Sequence, residues 1–215
     1  MKKIQTLLLG LYFSLFLVAC MGDGNTYAMI ETDYGNMKVL LYNETPKHKE
    51  NFIKLAKEGF YDDLLFHRVI NGFMLQGGDP ESRDAPPGKM LGAGGPGYLI
   101  DAEIGSPHFK GALAAARMGQ GNPEKKSSGS QFYVVQGSVQ TDAQLDNMER
   151  FKKIKYAPAQ RALYKEIGGR PDLDQEYTVF GEVVEGLEVI DKIATVPTAP
   201  GDRPTQDVKM KIRIL

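Results

Sequence analysis

The chain has no tryptophan and a single cysteine, Cys20, among its 215 residues. One cysteine excludes an intramolecular disulfide and any zinc cage built from cysteines. Three histidines, His48, His67 and His108, form no closely spaced ligand set, so no metal site is expected. Charge of neither sign dominates: 26 Lys and Arg stand against 27 Asp and Glu, a formal net charge of −1. A protein that coats nucleic acid needs a basic field, so nucleic acid is not an expected partner. No internal repeat is visible. Hydrophobic residues make up 42%, enough for a core and against wholesale disorder.

Long apolar runs are missing too, except at the N-terminus. Met1-Lys2-Lys3 is basic, Leu7 to Ala19 is almost wholly apolar, and the run ends in Leu17-Val18-Ala19-Cys20. This order of basic, apolar and small residues marks a secretory signal, and the run is shorter than the roughly 20 residues of a spanning helix. The tetrapeptide resembles the lipobox of bacterial lipoproteins, which implies cleavage before Cys20 and lipidation of that cysteine. Ordinary cleavage and an uncleaved anchor are the alternatives, but Leu17 is bulky where ordinary cleavage wants a small residue. Residues 1–19 then form a signal peptide and 20–26 a lipidated polar tether. The mature chain of 196 residues would lose Lys2 and Lys3 and carry −3. The expected location is the bacterial cell envelope, facing the periplasm, with the lipid in the membrane. At ~0.8 kcal/mol per buried methylene, several acyl chains anchor stably.

The rest, 27–215, reads as one domain. Alternation over Tyr27–Asp33 and Met37–Tyr42, around Gly35-Asn36, predicts two strands and a tight turn. Thr45 and Pro46 suit the cap and first position of a helix bearing Phe52, Leu55 and Ala56, closed by Gly59. Leu64 to Gln76 predicts two strands about Asn71-Gly72, and 80–109 is rich in Gly and Pro and mostly loop. Gly111–Ala116, Gln131–Gln136, Tyr177–Val184 and Val208–Ile214 are further strands, with a short helix at Leu187, Ile190 and Ile193. Thr141 to Arg170 breaks this rhythm. Thr141 with Gln144 makes a capping box, Leu145, Met148 and Phe151 repeat at helical spacing, Pro158 restarts the helix, and Ala159, Ala162, Leu163 and Ile167 form a second stripe. This predicts an inserted helical hairpin. Strands with two framework helices indicate an antiparallel barrel or sandwich, and composition does not choose between them.

The string Phe66-His67-Arg68-Val69-Ile70-Asn71-Gly72-Phe73-Met74-Leu75-Gln76-Gly77-Gly78-Asp79 resembles the signature of cyclophilins, the peptidyl-prolyl cis-trans isomerases. Gly129-Ser130-Gln131-Phe132-Tyr133 and Tyr177-Thr178-Val179-Phe180-Gly181 follow in the family's order. The resemblance covers roughly 27–137 and 172–215. It implies a mainly β fold: a closed, antiparallel, eight-stranded barrel with two framework helices, here carrying the hairpin. It also implies a catalytic Arg68, a proline pocket of Phe73, Met74, Tyr133 and Leu173, and peptide-binding groups at Gln76, Ala116 and Gln131, with Tyr177 at the same site. The implied partners are proline-containing polypeptides, met by a monomer without a cofactor. The same groove could instead serve a chaperone or docking module, with the hairpin as a binding surface and turnover incidental.

Three positions depart from the family. Tyr133 stands where Phe is usual, and its hydroxyl needs a partner. Tyr177 stands where many members carry His, and Asp172 replaces a tryptophan that supports cyclosporin binding, which puts strong binding of that drug in doubt. Arg117 follows Ala116 at the start of a long loop.

The residues alone suggest why such a site would work. On bare strand alternation Phe66, Arg68 and Ile70 share one face, Met74 and Gln76 another, and Phe73 and Leu75 the opposite one, so an arginine lies near Phe, Met and Gln. An arginine among apolar groups needs a partner. Rotation about an X-Pro bond faces ~18–20 kcal/mol because amide resonance is lost. At the twisted transition state the prolyl nitrogen regains its lone pair, and a donor placed there binds that state better than the planar one. Reaching a median turnover takes ~4 kcal/mol. A charged hydrogen bond contributes ~1.5–3 kcal/mol, and an apolar cup for the ring can supply the rest by orientation. Gly92-Ala93-Gly94-Gly95-Pro96-Gly97 formally matches G-x-G-x-x-G but lacks the strand before it and the helix within it, so no dinucleotide site is expected.

Overall fold

The computed structural model describes residues 24–215. The signal segment, Cys20 and the start of the tether lie outside the described residues. The strands are β1 (Thr26–Thr32), β2 (Gly35–Leu41), β3 (Leu64–Leu65), β4 (Arg68–Ile70), β5 (Met74–Gly77), β6 (Leu99–Ile100), β7 (Ala112–Ala115), β8 (Ser127–Ser128), β9 (Phe132–Val135), β10 (Val179–Glu185) and β11 (Lys209–Ile214). The helices are α1 (Pro46–Lys57), α2 (Asp142–Lys152), α3 (Pro158–Glu166) and α4 (Leu187–Ala194).

Nine strands form one antiparallel sheet in the order β3-β11-β1-β2-β10-β7-β9-β5-β4, and β6 pairs with β8 separately. Helix α4 touches β2, near the middle of that order, as well as β5 and β4 at one end of it, so the sheet is strongly curled. Where a closed eight-stranded barrel is expected, the main sheet is a strongly curled nine-stranded half-barrel, and its four helices are the two framework helices α1 and α4 and the two of the hairpin, α2 and α3. Its edge strands β3 and β4 do not pair; the chain passes from one to the other through Phe66 and His67.

Both faces of β7 and β9 are buried, which a two-residue period explains. Leu113, Ala115, Phe132 and Val134 point into the half-barrel, where α1 supplies Phe52, Leu55 and Ala56 and α4 supplies Val189, Ile190 and Ile193. Ala112, Ala114, Ala116, Tyr133 and Val135 point outward, under Leu173 and Tyr177. Three alanines on that outer face leave room for a depression.

Several expectations change in the fold. Thr45 stands at the α1 cap position without a capping side chain; the distant Glu103 accepts the Lys47 and His48 N–H groups at 3.1 and 3.0 Å. The predicted capping box of α2 is present. Phe151, however, is 83% exposed, and Ala159, Ala162 and Leu163 face solvent. The hairpin packs on Tyr156 and Tyr164 instead, while Arg161 spans to Asp142, Asp146 and Glu149. Lys155, the Tyr156 N–H and Arg161 pull the Glu149 carboxyl down to about 2.

Candidate active site

The ladder sets a row of side chains across four strands: Arg68 opposite Gln76, Gln76 opposite Tyr133, and Tyr133 opposite Ala114. Val69 and Leu75, one residue along, lie in the inner core. Bare alternation misplaces two neighbours. Phe66 sits before the break between β3 and β4 and joins the inner core, away from Arg68. Phe73 lies in the turn and packs with Met74 on the outer side, away from Leu75.

Arg68, Phe73, Met74, Gln76, Ala116, Tyr133, Leu173 and Tyr177, together with Arg117, line one open cavity of 110 Å³. Of the residues singled out from the described part of the chain, Gln131 alone lies outside that lining. It borders the adjoining 660 Å³ cleft, which shares Gln76, Ala116 and Arg117 with the first. Its amide oxygen accepts from Gln76 Nε2 at 3.0 Å, and its own Nε2 donates to the Gly92 and Gly94 carbonyls at 2.9 and 2.7 Å. Gln131 thus ties the Gly-rich loop to the floor of the cleft.

Arg68 is half-exposed, and its Nε donates to Asp202 Oδ2 at 3.2 Å. Asp202 is itself held, since its carbonyl accepts the Val69 N–H at 2.8 Å. Sequence patterning gives no signal for Asp202, which lies 134 positions away. The two terminal guanidinium nitrogens bond no described residue and remain available at the cavity. Arginines also cover two aromatic walls. Arg117 lies 4.6 Å over Tyr177 and bonds Glu176; Arg170 lies 4.0 Å over Phe73 and bonds Asp172 at 2.8 and 2.7 Å. Arg170 and Asp172 thus form an ion pair on the Phe73 flank of the cavity.

Tyr133 is buried, and its ring meets Tyr177 edge to face at 5.8 Å. Its hydroxyl finds a partner in His108 Nε2 at 3.0 Å. Burial pushes the Tyr133 pKa well above that of an ordinary phenol, reinforced by Tyr177 and Asp174, so the wall stays uncharged.

Next to Arg68, burial pulls His67 down to about 4, against the opposing pull of Asp79 and the Leu65 backbone and helped by Arg68 and Arg203. The unfolded imidazole takes its proton near pH 6.5, before the folded one does. Stability tied to His67 is therefore complete above that value and falls as pH drops toward 4. The loss is about 3 kcal/mol at pH 4 or below by linkage. Urea unfolding of wild type and His67→Gln at pH 7 and pH 4 checks this: the wild type should lose about that much more than the variant, and parallel losses refute it.

Fold and cavity together define a class, and the comparisons agree. The family profile described as cyclophilin type peptidyl-prolyl cis-trans isomerase/CLD matches residues 27–213. The chain belongs to this family. A putative peptidyl-prolyl cis-trans isomerase of Staphylococcus aureus is 33% identical over 187 residues, spanning 86% of this chain and 89% of that protein. A putative bifunctional phosphatase/peptidyl-prolyl cis-trans isomerase of Streptococcus pyogenes is 36% identical over 184 residues, covering 83% of this chain; this chain spans only 36% of that longer protein. Among solved structures, a cyclophilin type peptidyl-prolyl cis-trans isomerase of Cryptosporidium parvum superposes with a TM-score of 0.62 at 25% identity, covering 89% of this chain and 98% of that one. Its crystal structure in the presence of the dipeptide Ala-Pro gives 0.61 at 25% identity, over 88% and 98%.

Proposed function

We propose that this chain rotates X-Pro bonds in exported polypeptides, with Arg68 as the catalytic residue and the 110 Å³ cavity as the seat of the prolyl ring. The observation that carries the reading is the guanidinium of Arg68 on the rim of that cavity, pinned at Nε and unpaired at both terminal nitrogens. Phe73, Met74, Tyr133 and Leu173 wall the ring, while Gln76, Gln131 and the Ala116 backbone take the peptide on either side. A pinned donor is already organised for the pyramidal nitrogen, so little ordering entropy is spent at the transition state. No nucleophile or proton transfer is required. The edge strands, consecutive in the chain, act on this reading as a barrel closed by covalent connection instead of a ladder.

The direct test is exchange spectroscopy on an Ala-Pro peptide with catalytic amounts of the protein. Cis–trans exchange, uncatalysed in tens to hundreds of seconds, should move to the subsecond range. An unchanged exchange rate would falsify the proposal.

We further propose that Cys20 carries a lipid and holds the domain, as a monomer, to a membrane of the bacterial envelope. Cys20→Ser should shift the protein from the detergent to the aqueous phase on phase partitioning. A variant still recovered wholly with the detergent would rule out this anchor.

A further inference from the structure

Tyr133 brings a buried hydroxyl into the wall of the cavity, and the way it is satisfied reaches into the inserted hairpin. His108 is fully buried, its Nε2 lies 3.0 Å from the Tyr133 oxygen, and the two rings stack at 6.1 Å with a 12° tilt. On its other side Nδ1 lies 2.9 Å from Asp174 Oδ1, so Nδ1–H donates to the carboxylate and Nε2 is left to accept the phenolic O–H. The backbone holds the ring as well. The His108 N–H donates to Asp174 Oδ1 at 2.8 Å, and the His108 carbonyl accepts the Arg170 N–H at 2.8 Å.

Asp174 is nearly inaccessible, and its second oxygen takes two phenols from the hairpin, Tyr156 at 2.7 Å and Tyr164 at 2.6 Å. A buried carboxylate needs its lone pairs filled, so the hairpin completes the environment of this group. The return of the hairpin also passes against the same place. A Cβ on Gly169 would collide with the His108 carbonyl, and Gly169 pairs with both Phe109 and Ser138. Leu173, the neighbour of Asp174, lies in the cavity wall itself.

We propose that His108 and Asp174 are positioning residues for the isomerase site, through which the inserted hairpin sets the orientation of Tyr133. The inference rests on the reading of the 110 Å³ cavity as the prolyl seat. A phenylalanine at position 133 would need no such partner. The tyrosine therefore couples the hairpin to the cavity, and the hydroxyl is the coupling element.

A double-mutant cycle on exchange of an Ala-Pro peptide tests this. Tyr164→Phe removes one donor to Asp174 and the hydroxyl that accepts the His108 N–H at 3.2 Å, both within this network, and leaves the Tyr164 ring in place. In the otherwise wild-type chain it should lower kcat/KM roughly 3- to 10-fold; combined with Tyr133→Phe it should cost less than about twofold beyond Tyr133→Phe alone, because contacting or networked residues couple while independent ones add. Equal falls in the two backgrounds would mean that the hairpin acts through Leu173 or through general stability, and would overturn the relay. No fall in either background would overturn it too. Tyr156→Phe, which removes the other phenol, serves if Tyr164→Phe does not fold. Exchange absent from the wild-type protein would condemn the prolyl reading itself, a result distinct from exchange with an additive cycle.

Discussion

Arg68→Ala is expected to slow exchange of a proline peptide roughly 10- to 100-fold, the kinetic equivalent of one charged hydrogen bond made in the transition state. Little else should change. Arg68 is half-exposed and its single bond to Asp202 is a surface ion pair, so thermal unfolding should stay close to wild type, with a loss of at most about 1 kcal/mol. Separating these quantities matters, because a fall in activity with a matching fall in stability would point to misfolding. Arg68→Lys sharpens the test. The guanidinium spends Nε on Asp202 and keeps two nitrogens for substrate, whereas an ammonium is one point charge that must serve both. Most of the loss should therefore persist in the lysine variant. Line-shape exchange measurements beside circular dichroism melts decide it, and wild-type rates in the alanine variant would remove Arg68 from the mechanism.

Gly78→Ala should unfold the domain far more readily than Gly72→Ala, although both glycines belong to the same motif and both have positive φ, +86° and +75°. At Gly72 an added Cβ meets nothing within 4 Å, so the cost is the left-handed backbone alone, about 1–2 kcal/mol. At Gly78 the same atom would strike the Ser130 carbonyl oxygen and lie 3.0 Å from Gln131 Cα, both on backbone that cannot swing aside. Ser130 Oγ also donates to the Gly78 carbonyl at 2.7 Å, which locks the two segments together. The expected loss at Gly78 is about 3 kcal/mol or more, with the added strain falling on the segment that carries Gln131. Urea midpoints of the two variants measure this, and similar midpoints would show that the approach at Gly78 relaxes at little cost.

Much of the molecule is legible along the chain wherever a local rule suffices. The hairpin of β1 and β2, the capping box at Thr141 and Gln144, and the helix bearing Phe52, Leu55 and Ala56 all follow from period and turn chemistry. Local rules fail where the chain meets a distant part of itself. Glu103 replaces Thr45 as the cap of α1 because a carboxylate can satisfy two helix N–H groups from outside the helix. In α3 the apolar residues Ala159, Ala162 and Leu163 face water, since the inner face is claimed by Tyr164 and by an arginine answering three acids on α2. Phe66 and Phe73 leave the faces that alternation assigns them because one lies at a strand break and the other in a turn.

Read alone, the amino-acid order pointed to the family through a long motif, and that resemblance also pointed to eight of the side chains around the cavity, while short-range periodicity marked the longer strands and helices. Tertiary structure decided what holds those side chains: Asp202 on Arg68, Arg170 over Phe73, and the path from Tyr164 through Asp174 and His108 to Tyr133. Partners of this kind are set by hydrogen-bond geometry between segments far apart in the chain, and spacing along a sequence carries no record of it.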